Sequence, residues 1–331
     1  MNKIIAVISI IFTALVSWAW LDFQSAQKTP VVGSQPVLIE IEKGDSFQQI
    51  TDKLIAQKIP IKPLWFKVMA TQNSAFKKLK TGEYELTPGL TMPGILALFV
   101  LGKTKQYAIT FPEGWSFQQI FQEIEKNQIL EHTLTNAGHE ALCAQLGTNS
   151  KSLEGELFPD TYFFEKHTSD VALLTRAYQK MQSVLHQEWQ KRDENLPFKT
   201  PYEALILASI VEKETGIKTE RPMIAGVFIR RLEQNMKLQT DPTVIYGMGD
   251  NYHGNITYQD LKTATLYNTY INKGLPPTPI AMPGREAIVA VLHPDHSDSL
   301  YFVARGDGSH VFSSSLKAHN LAVNTFQRKK P

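Results

Sequence analysis

The chain has one cysteine, Cys143, in 331 residues. No internal disulfide is open to it and no thiolate pair can hold zinc; a lone thiol in an oxidising compartment is expected to be buried and inert. An excess of one charge is also missing. Lys and Arg number 34 against 32 for Asp and Glu, a net of +2. That balance, with no basic stripe, argues against nucleic acid as a partner, and Arg230-Arg231 reads as a solvated helix face. No His-Glu-x-x-His spacing occurs, and His293 and His296 in "HPDH" flank a proline, so no metal site is expected. A G-x-S-x-G nucleophile elbow is absent. "GMGDNY" (247–252) starts like a dinucleotide loop but carries Tyr252 where the last glycine belongs. The reading is therefore of a protein with neither metal nor cofactor.

Apolar residues are plentiful. At 43% hydrophobic and 20% charged, the chain can bury real cores, and its length suits two domains. Residues 4–21 carry no charge, and only Ser9, Thr13 and Ser17 are polar. A helix needs about 20 apolar residues to cross a bilayer. Lys3 favours an inside N-terminus, and Trp18 and Trp20 fit an interfacial belt at the outer end. A cleaved signal peptide would have a shorter apolar region, with Ser17-Trp18-Ala19 as a weak cleavage site. Length favours the uncleaved anchor, residues 1–21, with the rest of the chain outside the cytoplasm. Residues 22–36 ("QSAQKTPVVGSQP" from Gln24) are polar with two prolines and read as a tether.

A pattern then recurs. "VLIEIEKGDSFQQI" (37–50) and "QYAITFPEGWSFQQI" (106–120) share G-x-S-F-Q-Q-I. Ser46 with Gln49, and Ser116 with Gln119, make capping boxes that open helices; "YELTPGLTMPGI" (84–95) is a looser copy. The bland account, recurrent strand-to-helix punctuation, is preferred to duplication. Residues 37–104 read as strand, helix (46–57), helix (61–71), strand (82–87) and a helix near 91–101. That β-α-α-β order, with G-D-S opening the first helix, resembles a LysM-like module; the resemblance implies contact with N-acetylated glycan chains. Residues 105–331 read as a mixed α+β domain. Strands are expected at 106–111, 243–247 and 299–304, and helices at 116–126, 171–191, 201–215, 220–235, 284–292 and 315–328. Asp307-Gly308 signals a hairpin.

The chemistry centres on "ASIVEKET" (208–215). Thr200-Pro201-Tyr202-Glu203 opens this helix as a capping box with proline at the first position, and Gly216 closes it. Seven of the eight residues 204–211 are apolar, so the helix is expected to be buried on most sides. Glu212 and Glu214 then point about 200° apart, so only one can face a given cleft. Glu214 shares its stripe with Leu207, Ile210 and Val211; Glu212 lies over Leu205, Ala208 and Ser209 and has Lys218 as a candidate partner. An apolar setting and a helix C-terminus both raise a carboxyl pKa, as a general acid at neutral pH requires. The alternative is that both glutamates fray into solvent. "EGELFPDTYFF" (154–164), "LQTDPTVIYG" (238–247), "YNTYINKGLPPTPI" (267–280) and Trp115 supply the aromatics and amides that hold sugars, although each alone suits an ordinary packed loop.

"ASIVEKET", "VFIRRLEQNMKLQTDPTVIYGMG", "YNTYINKGLPPTPIAMPG" and "HPDHSDSLYFVARGDGSHVFSSSLKAHN", with "FPEGWS" upstream, together resemble the MltG/YceG-like family of endolytic murein transglycosylases. The resemblance runs from about residue 150 to the C-terminus and places the family's catalytic glutamate on Glu214. It implies an inner-membrane, single-pass protein whose catalytic domain lies in the periplasm. Its substrate would be peptidoglycan glycan strands, cut to 1,6-anhydro ends, and its partners peptidoglycan synthases. Gln239, Thr240 and Asp241 are expected to orient the acid or grip N-acetyl groups. Tyr246, Asn268 and Tyr270 are expected to line sugar subsites, with the Leu275-Pro276-Pro277 turn as a rigid wall and Glu154 and Asp160 as supporting groups. Two rivals stand beside this reading: a hydrolytic muramidase using Asp241 as second carboxylate, and a silent peptidoglycan-binding scaffold.

Overall fold

The structure is a computed structural model that describes residues 2–72, 74–134, 139–148 and 152–327. The chain divides into two compact units, residues 1–107 with 163–167, and residues 108–162 with 168–331. The fold is mixed α+β with one long apolar helix at the N-terminus.

In the smaller unit α1 (Asn2–Lys28) leads to β1 (Val37–Ile41), α2 (Phe47–Ala56), α3 (Pro63–Gln72), β2 (Gly82–Leu86) and α4 (Met92–Leu101). The β-α-α-β order expected from sequence is present. β1 and β2 pair antiparallel, with Val37 opposite Leu86 and Ile41 opposite Gly82. Ser46 and Gln49 form the reciprocal capping box that starts α2. Ile50, Leu54, Phe66, Tyr84, Ile95 and Phe99 fill the core. Tyr84 is fully buried, which obliges its hydroxyl to find an acceptor: the Lys80 carbonyl, at 2.8 Å. Residues 22–28, read from sequence as the start of a tether, continue α1, and Phe23, Ala26, Val31 and Val32 join this core. The polar letters of the stretch concealed four apolar residues placed to dock.

The larger unit begins within β3 (Tyr107–Thr110), which pairs with β4 (Thr161–Phe164). α5 (Phe117–Lys126) carries the second capping box, Ser116 with Gln119, and α6 (His139–Gln145) follows; Cys143 on α6 is buried. The centre is helical: α7 (Asp170–Trp189), α8 (Pro201–Glu214), α9 (Arg221–Glu233) and α11 (Arg285–Leu292) pack around Leu205, Leu207, Ile210, Phe228, Ile288 and Val291. Each of these side chains is at most 1% exposed, and truncating one to alanine would cost about 2–5 kcal/mol.

Residues 243–247 are helical rather than a strand, as part of α10 (Asp241–Met248). The β-branched letters Thr243, Val244 and Ile245 suggested extended chain. The start of the segment decides otherwise: Thr240 is an extended N-cap and Pro242 sits in the first turn, where its fixed φ suits a helix and its missing N–H is not needed. β5 (Tyr301–Ala304) and β6 (His310–Ser313) form the expected hairpin, with Tyr301 opposite Ser313 and Ala304 opposite His310. Gly308 takes φ 92° in its loop, and Asp307 accepts the Ser309 amide at 2.9 Å. α12 (Leu316–Phe326) packs back on the hairpin.

Candidate active site

α8 delivers both glutamates. Thr200 caps its first turn by accepting the Glu203 amide, and Pro201 is the first helical residue. Glu203 reaches past the cap to the Lys199 amide at 2.5 Å, so the box is offset by one residue. The helix stops at Glu214 because Thr215 turns extended (φ −145°, ψ 135°), not through Gly216.

The two carboxylates go to opposite environments, as helical geometry requires. Glu212 turns inward to Arg221 Nη2 at 2.9 Å and accepts the Gly284 amide at 2.9 Å. Its side chain is 6% exposed and that of Arg221 5%, so this is a buried, hydrogen-bonded ion pair. Lys218, the partner suggested by sequence, pairs instead with Glu286 at 2.7 Å. Burial raises the Glu212 pKa, and the Gly284 amide and Arg221 oppose that shift. Both side chains of the pair are part of the fold's interior.

Glu214 opens into a cleft of about 470 Å³. Gln239, Asp241, Tyr270, Arg231, Tyr301 and His310 line it with Glu214. The volume lies within the range typical of small-molecule sites, about 300–1,000 Å³. The Thr240 hydroxyl donates to Glu214 Oε1. Thr240 is itself fixed: its amide donates to Thr269 Oγ1 at 3.1 Å and its carbonyl accepts Thr243 Oγ1 at 2.8 Å. All three threonines are buried. Desolvation pushes the Glu214 pKa up to about 7; Thr240 lowers it, Asp241 raises it, and His310 and Arg231 lower it. A carboxyl in that range can be protonated before a reaction step and ionised after it.

Of the residues expected at the site, Gln239, Asp241 and Tyr270 line the cleft with Glu214, and Thr240 lies directly behind it. Gln239 adopts a left-handed backbone, φ 51°, a conformation that costs energy for a non-glycine residue and recurs at functional sites. Tyr270 donates its hydroxyl to Asp241 Oδ1 at 2.6 Å. Tyr246 and Asn268 do not line it. Tyr246 donates to Glu154 at 3.1 Å and packs on Tyr267, ring centroids 4.7 Å apart. Asn268 is wholly buried; its amide donates to the carbonyls of Asp260, Leu261 and Thr263 and its oxygen accepts the Tyr270 amide at 2.9 Å. Glu154 holds the Phe117 amide at the start of α5, and burial lifts its pKa to about 7. Asp160 pairs with Lys180. Trp115 and the Leu275-Pro276-Pro277 turn are also absent from the lining. His293 is held by Asp193 at 2.6 Å.

Sequence reasoning missed the opposite wall, which comes from α9, the β5–β6 hairpin and α12. Arg231, read as solvated, is 7% exposed; it donates to the carbonyls of Leu300 and Leu238 at 2.7 and 2.6 Å and lies over the Tyr301 ring at 5.2 Å. His310 Nδ1 lies 2.7 Å from Glu220 Oε2, and the His310 amide donates to Glu220 Oε1 at 3.0 Å. A carboxylate only accepts, so Nδ1 carries a hydrogen toward Glu220. His319 stacks on Tyr301, 5.2 Å between centroids. The usable signal was the second residue of the Arg230-Arg231 pair recurring on the stripe of buried Val227 and Phe228.

The model of the YceG-like family matches residues 39–325. The chain is 34% identical over 268 residues to the endolytic murein transglycosylase of Bacillus subtilis (strain 168), covering 76% of this chain and 74% of that one. It is 30% identical over 322 residues to the endolytic murein transglycosylase of Streptococcus pneumoniae serotype 2, covering 87% of this chain and 58% of the longer relative. A crystal structure of a YceG-like protein from Listeria monocytogenes superposes with a TM-score of 0.55 at 31% identity, over 86% of this chain and 98% of that one. With residues 39–325 matched by the family model and its fold shared with a YceG-like protein, the chain belongs to the YceG-like family.

Proposed function

We propose that this protein is an endolytic lytic transglycosylase that cuts the bond from N-acetylmuramic acid to N-acetylglucosamine inside peptidoglycan glycan strands. The observation that carries the reading is Glu214: a carboxyl at the edge of a sugar-sized cleft, held by Thr240, with its pKa raised to about 7. The names of the relatives support the same activity.

One carboxyl suffices for the reaction. Protonated Glu214 gives its proton to the glycosidic oxygen as the bond from C1 breaks, and the departing sugar leaves with a free hydroxyl. The 2-acetamido oxygen supports the positive C1, so no protein nucleophile is needed. Glu214, now ionised and held by the Thr240 hydroxyl, takes the proton of the muramyl O6 hydroxyl while O6 bonds to C1. The 1,6-anhydro ring closes and the acid is restored, with no water consumed. Asp241, bonded to Tyr270, and Gln239 grip polar groups of the flanking sugars.

In this reading α1 is a single-pass anchor in the inner membrane, and both units lie on its periplasmic side. The β-α-α-β unit, as a LysM-like module, contacts the glycan. Cutting nascent strands beside peptidoglycan synthases would end their elongation. The hydrolytic reading draws on one observation, that Asp241 shares the cleft with Glu214; a hydrolase needs such a second carboxylate.

The test is digestion of polymerised glycan strands by wild type, Glu214→Gln and Glu212→Gln, with products read by mass spectrometry. Wild type should release 1,6-anhydromuramic ends, and Glu214→Gln should lose about 10²–10⁴-fold in rate. Ordinary reducing ends would make the enzyme a hydrolase, with Asp241→Asn the next variant. Undiminished cutting by Glu214→Gln would overturn the assignment of the acid.

A further inference from the structure

The apolar run of residues 4–21 rises about 27 Å as a helix, close to the ~30 Å hydrocarbon thickness of a bilayer. If α1 spans, as the reading above holds, Asp22 lies at the outer boundary. The helix does not end there. It continues to Lys28, with Phe23 8% and Ala26 4% exposed in the core of the small unit. Asp22 is pinned by two groups of that unit: Trp65 Nε1 donates to it at 2.7 Å and Lys62 Nζ at 2.5 Å. The Phe23 and Trp65 rings lie 5.2 Å apart. Past the helix, the Val31 amide donates to the Leu90 carbonyl at 2.8 Å. The small unit is thus joined to α1 by packing, hydrogen bonds and an ion pair, with no free linker between them.

That attachment fixes the level of the unit. Residues that touch Asp22 stand at the height of Asp22, so Lys62 and Trp65 stand at the lipid–water boundary. Trp18 lies one turn lower on the stripe of Asp22 and is 66% exposed; Trp20 is 61% exposed. Between Lys62 and Trp65 comes Leu64, 67% exposed at the first turn of α3. A tryptophan with its N–H satisfied and a lysine at that level, with a bare leucine next to the tryptophan in sequence, have the chemistry of an interfacial belt.

We propose that residues 62–65 form a second membrane contact: the underside of the small unit sits in the phospholipid headgroup layer around the outer end of α1, with Leu64 inserted into it. The unit is then held at a fixed height and tilt at the bilayer, where a flexible tether would let it wander.

The test uses full-length protein in phosphatidylcholine–phosphatidylglycerol proteoliposomes, in a Cys143→Ala background. An environment-sensitive fluorophore is placed through Leu64→Cys, Phe12→Cys or Lys43→Cys, and quenching by lipids spin-labelled near the headgroup or deep in the chain is measured. Phe12 lies in the middle of the apolar run; Lys43 is an exposed turn residue between β1 and α2. The expected result is deep quenching at Phe12, shallow quenching with a blue-shifted emission at Leu64, and neither at Lys43. If Phe12 is quenched and Leu64 behaves like Lys43, the proposed contact is wrong while the anchor stands. If Phe12 is not quenched, the spanning reading falls and this proposal with it. Leu64 shielded from both quenchers and from aqueous iodide would mean that a protein, not lipid, covers it, which also overturns the proposal.

Discussion

Thr240 donates its hydroxyl to Glu214 Oε1, joining the cap residue of α10 to the last residue of α8 across 26 positions of sequence. The bond stabilises the ionised form, so Thr240 lowers the Glu214 pKa against a larger rise from desolvation. Thr240→Val keeps shape and removes the donor. A hydrogen bond to a charged group contributes about 1.5–3 kcal/mol, so kcat/KM should fall roughly ten- to a hundredfold, with little change in fold. The falling alkaline limb of the pH–rate profile should move upward, because the acid holds its proton longer. An unchanged limb would mean that Thr240 is only scaffolding.

Two cleft residues should move the same limb in opposite directions. Asp241 raises the Glu214 pKa and His310 lowers it. Asp241→Asn should therefore shift the alkaline limb of kcat/KM to lower pH, and His310→Gln to higher pH. Glu220→Gln, which loosens His310, should follow the direction of His310→Gln. Generic damage to the cleft would lower rates without opposite shifts, so pH profiles of the three variants separate the two cases.

The raised Glu214 pKa also carries a stability cost with a definite sign. Its ordinary value is 4.5 and its folded value about 7. A carboxyl raised on folding leaves full stability below the ordinary value, and stability is lost as pH climbs through the folded one. Between pH ~4.5 and ~7 the native state should therefore weaken. Glu214→Gln cannot ionise and keeps an acceptor for Thr240. It should be more stable than wild type above neutral pH by on the order of 3 kcal/mol, and equal to it near pH 4. Paired denaturant titrations at the two pH values check this.

How far the letters alone could carry the site is clear from these residues. Glu214 was legible because helical geometry separates it from Glu212, and an apolar stripe with a helix end has known effects on a carboxyl. Helices with caps in their text, such as α2, α5 and α8, were legible for the same local reason. α10 was not, because β-branched letters outweighed the Asp-Pro start. The far wall of the cleft was not either: Tyr301, His310 and His319 lie 87, 96 and 105 residues beyond Glu214, and only tertiary packing brings them there. Asn268 and Tyr246 fall outside the cleft lining, and their polar atoms meet buried carbonyls and a carboxylate, the same chemistry that would grip N-acetyl groups.

Asn268 supplies the last prediction. It is fully buried, with its amide shared among three loop carbonyls and its oxygen on the Tyr270 amide. Asn268→Ala would strand those carbonyls and the Tyr270 N–H in the interior, at about 1–3 kcal/mol for each group left unsatisfied. Asn268→Asp is the sharper variant. Its carboxylate can still accept from Tyr270 but has no donor for the carbonyls, so it should unfold earlier than wild type. Were Asn268 a sugar contact, both variants would raise KM at unchanged melting temperature. Its place in the structure predicts the reverse: a lower melting temperature, with KM in the folded fraction moved only as far as Tyr270 loses its hold on Asp241.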